Sequence, residues 1–348
     1  MRKRILVTGG AGFFGHHLVE HILKNTEWDI VVLDSLNYAS FGFDRIRDVG
    51  CYDVRRVERF VHNIVSPMEL GLRRELGQFN FILHAAAETH VDNSIKNPLP
   101  FVETNVLGTA RLLEFARTQE KLETFLFFST DEVFGPAAVT NLNVQYSGHN
   151  LSLYSEYREW DRHNPTNPYS ATKAAGEELC LAWSNTYRIP VIITHCMNIF
   201  GERQHPEKFI PHVVRSILSE KEILIHSSPS GEPGSRFYIH ARNVAAAVLF
   251  ILGKVDELPH RDKFNITGEA EVNNLELANA IADLLRKPVK IRQVDFHSSR
   301  PGHDLRYALD GTKLARLGWK PPVSFEPSLA KTINWFVSNP KWLEYETQ

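Results

Sequence analysis

Arg4-Ile5-Leu6-Val7-Thr8 leads straight into Gly9-Gly10-Ala11-Gly12-Phe13-Phe14-Gly15 and then into an amphipathic stretch, and no other segment constrains the fold as tightly. The β-branched run predicts a strand, and the apolar spacing over residues 12–24 predicts a helix. Glycines three apart permit a tight turn, close backbone approach to a ligand, and close helix–strand packing. The helix N-terminus that follows offers free N–H groups to a pyrophosphate. Asp34 closes the next apolar run about twenty residues on. A carboxylate there accepts hydrogen bonds from the adenosine ribose and repels a 2′-phosphate, which favours NAD over NADP.

Further along, short apolar runs at 30–33, 57–61, 81–84, 125–129 and 191–194 alternate with helical stretches at 98–118 and 168–187. Apolar strands alternating with helices predict an α/β protein with a Rossmann-type, doubly wound parallel sheet covered on both faces. Beyond about residue 200 prolines and glycines cluster and the rhythm breaks. Helices are expected at 243–252 and 274–285 and a strand at 289–294. We read residues 1–200 as the dinucleotide-binding domain and 201–348 as a smaller C-terminal α/β substrate lobe, with possible chain exchange between them. Residues 136–167 are polar and read as a long loop, of the kind that is functional or mobile.

The bulk composition is that of an ordinary globular enzyme, with 43% hydrophobic and 23% charged residues. A formal net charge of −2 gives no footprint for nucleic acid or an anionic membrane surface. No apolar run approaches the roughly 20 residues that cross a bilayer. Met1-Arg2-Lys3-Arg4 is basic, but only Ile5-Leu6-Val7 follows before Thr8, so this is a strand and not a secretory leader. The three cysteines, Cys51, Cys180 and Cys196, are far apart and show no metal-like pairing. Free thiols in a cytoplasmic protein are expected. His17 and His21 stand four apart on the first helix, yet lack a third ligand, and no metal is expected.

Tyr169-Ser170-Ala171-Thr172-Lys173 places a tyrosine and a lysine on one helix face. A phenol with a pKa near 10 needs about three units of depression, about 4 kcal/mol, to act as a base near neutrality. A lysine one turn away and a nearby nicotinamide cation supply that. Ser129-Thr130-Asp131-Glu132 leaves the end of a strand with two adjacent carboxyls, which suits an elimination needing one general acid and one general base.

These motifs together resemble the extended short-chain dehydrogenase/reductase family over almost the whole chain. Within it, Ser129-Thr130-Asp131-Glu132-Val133-Phe134-Gly135 resembles the S-T-D-E-V-Y-G stretch of the dTDP-glucose 4,6-dehydratase subfamily. His84–Ser94, Thr104–Thr109, Pro206-Glu207-Lys208 and Arg300–Tyr307 are similar to further segments of that subfamily. The resemblance implies that Thr130 hydrogen-bonds the reacting oxygen, Tyr169 is the base and Lys173 holds the nicotinamide ribose. It implies an NAD surface of Gly9, Gly12, Phe13, Phe14, Gly15, Asp34, Asn63, Ile64, Ala85, Ala86, Ala87 and Asn105, with Tyr169 and Lys173. It assigns the nucleotide sugar to Glu88, His90, Asn198, Lys208, Arg236, Arg300 and His303, and it implies a homodimer. The chain departs from the pattern at Asn63, around Asn198 (Met197, Ile199, Phe200), in Ser227–Ser235 and at Asn243, positions that bear on the nucleotide and hexose.

The expected chemistry is oxidation at C4 through Tyr169, removal of the C5 proton by Glu132, protonation of the leaving C6 hydroxyl by Asp131, and return of hydride to C6. Two alternatives stay open. One is a nucleotide-sugar 4-epimerase or decarboxylase on the same scaffold; the other is a non-catalytic NAD(H)-binding protein.

Overall fold

The structure is a computed structural model that describes residues 2–138, 142–146, 149–153, 155–295 and 304–344. In chain order the first elements are β1 (Arg4–Thr8), α1 (Phe13–Asn25), β2 (Asp29–Asp34), α2 (Asp44–Asp48), β3 (Val57–Val61), α3 (Leu70–Leu76), β4 (Phe81–His84), α4 (Val91–Lys96) and α5 (Leu99–Phe101). A π-helical segment, Val102–Gly108, and α6 (Thr109–Ala116) lead to β5 (Thr124–Thr130) and a 3₁₀ turn, Asp131–Phe134. Then come β6 (Leu142–Tyr146), β7 (His149–Leu153), α7 (Pro168–Tyr187), β8 (Val191–Cys196), β9 (Asn198–Phe200), α8 (Phe209–Leu218), β10 (Glu222–Ser227), β11 (Ser235–His240), α9 (Ala241–Leu252), β12 (Asp262–Ile266), β13 (Glu271–Asn273), α10 (Asn274–Leu285) and β14 (Lys290–Asp295). Two further helices span Thr312–Arg316 and Phe325–Ser338.

Seven strands form one sheet in the order β3-β2-β1-β4-β5-β8-β12. The pairs β3–β2, β2–β1, β1–β4 and β4–β5 run parallel. Every residue of β4, β5 and β8 is buried, as required of strands covered on both faces. The core beneath them is built from Leu6, Val31, Ile82, Phe125, Phe127 and Ile193, packed against Leu112, Leu113 and Phe115 of α6.

The chain divides into two compact units. The first comprises residues 1–133, 167–195 and 245–264; the second comprises 134–166, 196–244 and 265–348. The chain passes between the units several times, with one change at 195/196. The second unit holds a sheet ordered β13-β11-β9, the parallel pair β10–β14 and the antiparallel hairpin β6–β7. That hairpin corrects the expectation of an unbroken loop over 136–167: Leu142-Asn143-Val144-Gln145-Tyr146 does alternate apolar and polar, a short strand signal set among Ser, Asn and Gly that read as loop. The helix expected over 98–118 is also interrupted, since its middle widens into the π-helical Val102–Gly108. No helix among the described residues is long and apolar enough to cross a membrane.

Candidate active site

At the end of β1, Gly9 adopts φ +69°, and a Cβ there would lie 2.8 Å from Cα of Ala86. A Cβ on Gly15 would run into the carbonyl oxygen of Gly9. Only glycine fits either position. Gly12 is the N-cap of α1 and brings no capping side chain, which leaves first-turn N–H groups for a ligand. Asp34 is 7% exposed. Its Oδ2 accepts from the N–H of Ala11 at 3.0 Å and its Oδ1 from that of Leu36 at 2.8 Å. Burial holds its carboxyl above the ordinary aspartate range, against the pull of those bonds and of Arg45. Arg45, which sequence reasoning missed, is fully buried and donates to the carbonyls of Ala39 at 2.6 Å and Ser40 at 3.0 Å. It fixes the loop after β2.

Of the other residues expected at the cofactor, Phe14 packs edge-on against Phe128 and Phe13 against His17. Asn63 is exposed and opens a turn by accepting from the N–H of Val65, whereas Ile64 is part of the core. Ala85 and Ala86 donate their N–H groups to Thr8. His17 is buried on α1. The cysteines are buried free thiols.

A buried relay ties β1, β4 and the π-helical segment together. Thr8 Oγ1 and Nδ1 of His84 are 2.9 Å apart, and Nε2 of His84 is 2.9 Å from Oγ1 of Thr109. Thr109 spends its hydroxyl proton on the carbonyl of Asn105, so it must accept from Nε2–H, and Nδ1 must accept from Thr8. His84 is therefore neutral with its proton on Nε2. Burial, helped by the charge of Lys173, lowers its pKa to about 3. Asn105 holds both the N–H and the carbonyl of Glu88 and donates to Oγ1 of Thr172, which ties the loop after β4 to α7 beside Lys173.

β5 ends in Thr130, and the 3₁₀ turn starts at once. Oγ1 of Thr130 donates to Oδ1 of Asp131 at 3.0 Å and accepts from the N–H of Glu132 at 3.3 Å. Thr130 and Asp131 are buried and Glu132 is half-buried. α7 starts in a capping box between Asn167 and Ser170 with Pro168 in its first turn. The N–H of Tyr169 is taken by Oγ of Ser94 at 3.2 Å. Lys173, 4% exposed, lies with Nζ 4.2 Å over the Phe127 ring. One more turn along the same face lies Glu177, fully buried. It accepts from the Ser129 hydroxyl, lies 3.1 Å from Nε2 of His195 and forms a 2.9 Å ion pair with Lys263. Nothing in the sequence pointed to Glu177, because its partners come from three other strands.

The glycine turn, Asp34, Thr130, Asp131, Glu132, Tyr169 and Lys173 all belong to the first unit. Glu88 accepts from Nδ2 of Asn37 at 3.0 Å, and His90 caps α4. In the second unit Asn198 is exposed on β9, paired with Tyr238, and Lys208 stands at the N-cap of α8. Arg236 on β11 donates to the carbonyls of Ser235 at 2.6 Å, Leu305 at 2.6 Å and Asp304 at 2.7 Å, with its guanidinium over the Tyr307 ring. Arg300 and His303 lie outside the described residues.

A seven-stranded doubly wound sheet with a glycine turn at the end of β1 and a Tyr–Lys helix beside β5 defines a Rossmann-type dinucleotide-binding protein of the short-chain dehydrogenase/reductase kind. The chain belongs to the NAD dependent epimerase/dehydratase family, whose model matches residues 5–267. It is 36% identical to a dTDP-glucose 4,6-dehydratase of Shigella flexneri, covering 98% of this chain and 94% of the relative. With a dTDP-glucose 4,6-dehydratase of Neisseria gonorrhoeae it shares 37% identity over 97% and 96% of the two chains. Among solved structures, the dTDP-glucose 4,6-dehydratase of Streptomyces venezuelae with NAD bound superposes with a TM-score of 0.83 at 33% identity, covering 98% of this chain and 99% of that one.

Proposed function

We propose that this chain is an NAD-dependent nucleotide-sugar 4,6-dehydratase acting on dTDP-glucose or a closely related nucleoside-diphosphate hexose. The observation that carries the reading is the buried Thr130-Asp131 step with Glu132 beside it, at the end of the strand that packs against the Tyr169–Lys173 helix. An epimerase needs only the oxidation and reduction at C4 and leaves a general acid and a general base without a task.

The chain's residues fit NAD. Gly9 and Gly15 have no room for a Cβ, α1 has no side-chain cap, and we assign the ribose to Asp34 at the end of β2. The Gly9–Gly15 turn, Asp34 and Lys173 would hold NAD, which when bound would supply a hydride acceptor for C4 and a hydride donor for C6 with no net consumption. Lys173 holds the ribose beside Tyr169 and favours the phenolate. Tyr169 takes the proton of the 4-hydroxyl while Thr130, turning its one hydroxyl proton away from Asp131, donates a hydrogen bond to the same oxygen. The resulting ketone acidifies C5–H; Glu132 removes that proton and Asp131 protonates the departing C6 hydroxyl, releasing water. C5 is reprotonated as C6 is reduced, giving a 4-keto-6-deoxy sugar. We assign the diphosphate and sugar to Glu88, His90, Asn198, Lys208, Arg236, Arg300 and His303, with arginine forks suited to phosphate oxygens. Exposed Ile95, Leu99, Val102 and Leu107 support a helical homodimer face, and three free thiols support a cytoplasmic setting.

The test is to incubate the protein with dTDP-glucose, UDP-glucose and N-acetylated analogues and to follow the alkaline absorbance of a 4-keto product. Product without net NAD consumption is expected from at least one. Formation of only the C4 epimer would overturn the reading.

A further inference from the structure

We infer that Asn167 is a positioning residue that couples the helix carrying Tyr169 to the carboxylate of Glu132; the inference rests on the reading of Glu132 as the C5 base. Asn167 is 5% exposed and stands at the N-cap of α7 with φ −141° and ψ 164°. Its Oδ1 accepts from the N–H of Ser170 at 2.9 Å, and its own N–H donates to Oγ of Ser170 at 3.3 Å. That cap decides which way the amide faces. Turned over, it would set an NH₂ against the N–H of Ser170, donor against donor. With Oδ1 committed to the helix, Nδ2 is held on the other side, where it donates to Oε2 of Glu132 at 3.2 Å.

The choice of asparagine says more than capping requires. Serine, threonine and aspartate cap a helix about as well, and none of them has a second, donating arm on the same rigid plane. That arm holds the Glu132 carboxylate through Oε2. The two proton acceptors of the reaction work on neighbouring atoms, Tyr169 at the C4 oxygen and Glu132 at C5. Their spacing must therefore be constant through the cycle. Asn167 stands two residues before Tyr169 and touches Glu132, so it transmits the position of α7 directly to the second base.

Two substitutions keep the cap and remove the donor: Asn167→Ser, and Asn167→Asp, which also sets a like charge against Glu132. Ser170→Ala, which breaks one arm of the capping box and leaves the amide donor in place, and Glu132→Gln serve as references. The readouts are thermal midpoint, NADH absorbance on mixing with dTDP-glucose, exchange of the C5 proton in D₂O, and product formation. Both Asn167 variants should keep the midpoint within a few degrees and form NADH at the native rate. Exchange and product should fall on the order of 10²-fold in Asn167→Ser, as for a misplaced reacting group, and further in Asn167→Asp. Ser170→Ala should lower the midpoint and leave the ratio of oxidation to elimination unchanged. Native exchange in both Asn167 variants, with Glu132→Gln blocked, would reduce Asn167 to a cap and overturn the inference alone. Native turnover by Glu132→Gln would overturn the reading of Glu132 and the inference with it.

Discussion

Lys263 and Glu177 form a 2.9 Å ion pair whose side chains are 3% and 0% exposed. The carboxylate is also met by Ser129 and His195, so one buried anion collects donors from β5, β8 and β12 at the middle of the helix that carries Tyr169 and Lys173. A charge sealed in this way is tolerable only while its partners stay.

Removing one member should therefore cost more than removing both. Lys263→Met leaves Glu177 buried without its cation, and a loss of about 3–5 kcal/mol is expected. The double variant Lys263→Met with Glu177→Gln should regain much of that, because no net charge remains to be solvated. Urea unfolding of the single and double variants measures the difference; equal losses in both would show that the pair is not coupled.

Acid should find a second weak point at His84. An unfolded histidine takes up a proton near pH 6.5, while the buried ring between Thr8 and Thr109 resists protonation down to about 3. Its contribution is full above 6.5 and is lost progressively as the pH falls toward 3, to a limit of roughly 5 kcal/mol. His84→Gln should flatten the stability curve over that window by the equivalent of one proton. Urea midpoints taken at half-unit pH steps would reveal this, and an unchanged slope would contradict it.

The two halves of the proposed reaction rest on different residues and should separate. Tyr169→Phe should abolish every signal, including transient NADH, because no base remains for the 4-hydroxyl. Glu132→Gln should still form NADH on mixing with substrate but lose dehydration by on the order of 10²–10⁴-fold. Asp131→Asn should also fail to dehydrate, yet still exchange the C5 proton with deuterium. Stopped-flow absorbance and mass spectrometry distinguish the three patterns.

Asp34 should decide between dinucleotides. A 2′-phosphate within about 4 Å of its carboxylate meets a repulsion of about 1–4 kcal/mol, so NAD⁺ should bind about tenfold tighter than NADP⁺ or better. Asp34→Asn should narrow that gap while keeping an acceptor for the N–H of Ala11. Calorimetric titration of both dinucleotides gives the ratio; equal affinities in the native chain would refute it.

What the sequence made legible was local. The glycine turn, Asp34 and the Tyr169–Lys173 pair each lie within one strand–turn–helix or one helical turn, where spacing alone sets geometry. α7 and α10 occupy the ranges their periodicity predicts, and capping boxes at Asn167–Ser170 and Asn273–Glu276 mark both starts. The buried polar contacts were illegible for the opposite reason. Glu177 reaches partners 18, 48 and 86 residues away, and no pattern announces such a meeting. Arg45 reads as a surface charge until its carbonyl partners are seen. β12, Asp-Lys-Phe-Asn-Ile, mixes charge and amide into a central-sheet strand, because its lysine has a buried carboxylate to answer.

The interleaving of the two units reaches into how the chain is made. The backbone changes unit at 133/134, 166/167, 195/196, 244/245 and 264/265, so neither unit is a stretch that could leave the ribosome and fold on its own. β12, the outermost strand on its side of the large sheet, is synthesised after β6, β7, β9, β10 and β11 of the second unit. Until it emerges, Glu177 has no Lys263. A nascent chain halted anywhere before residue 263 must keep that carboxylate protonated or in water, because the middle of the catalytic helix lacks its cation until the lysine arrives.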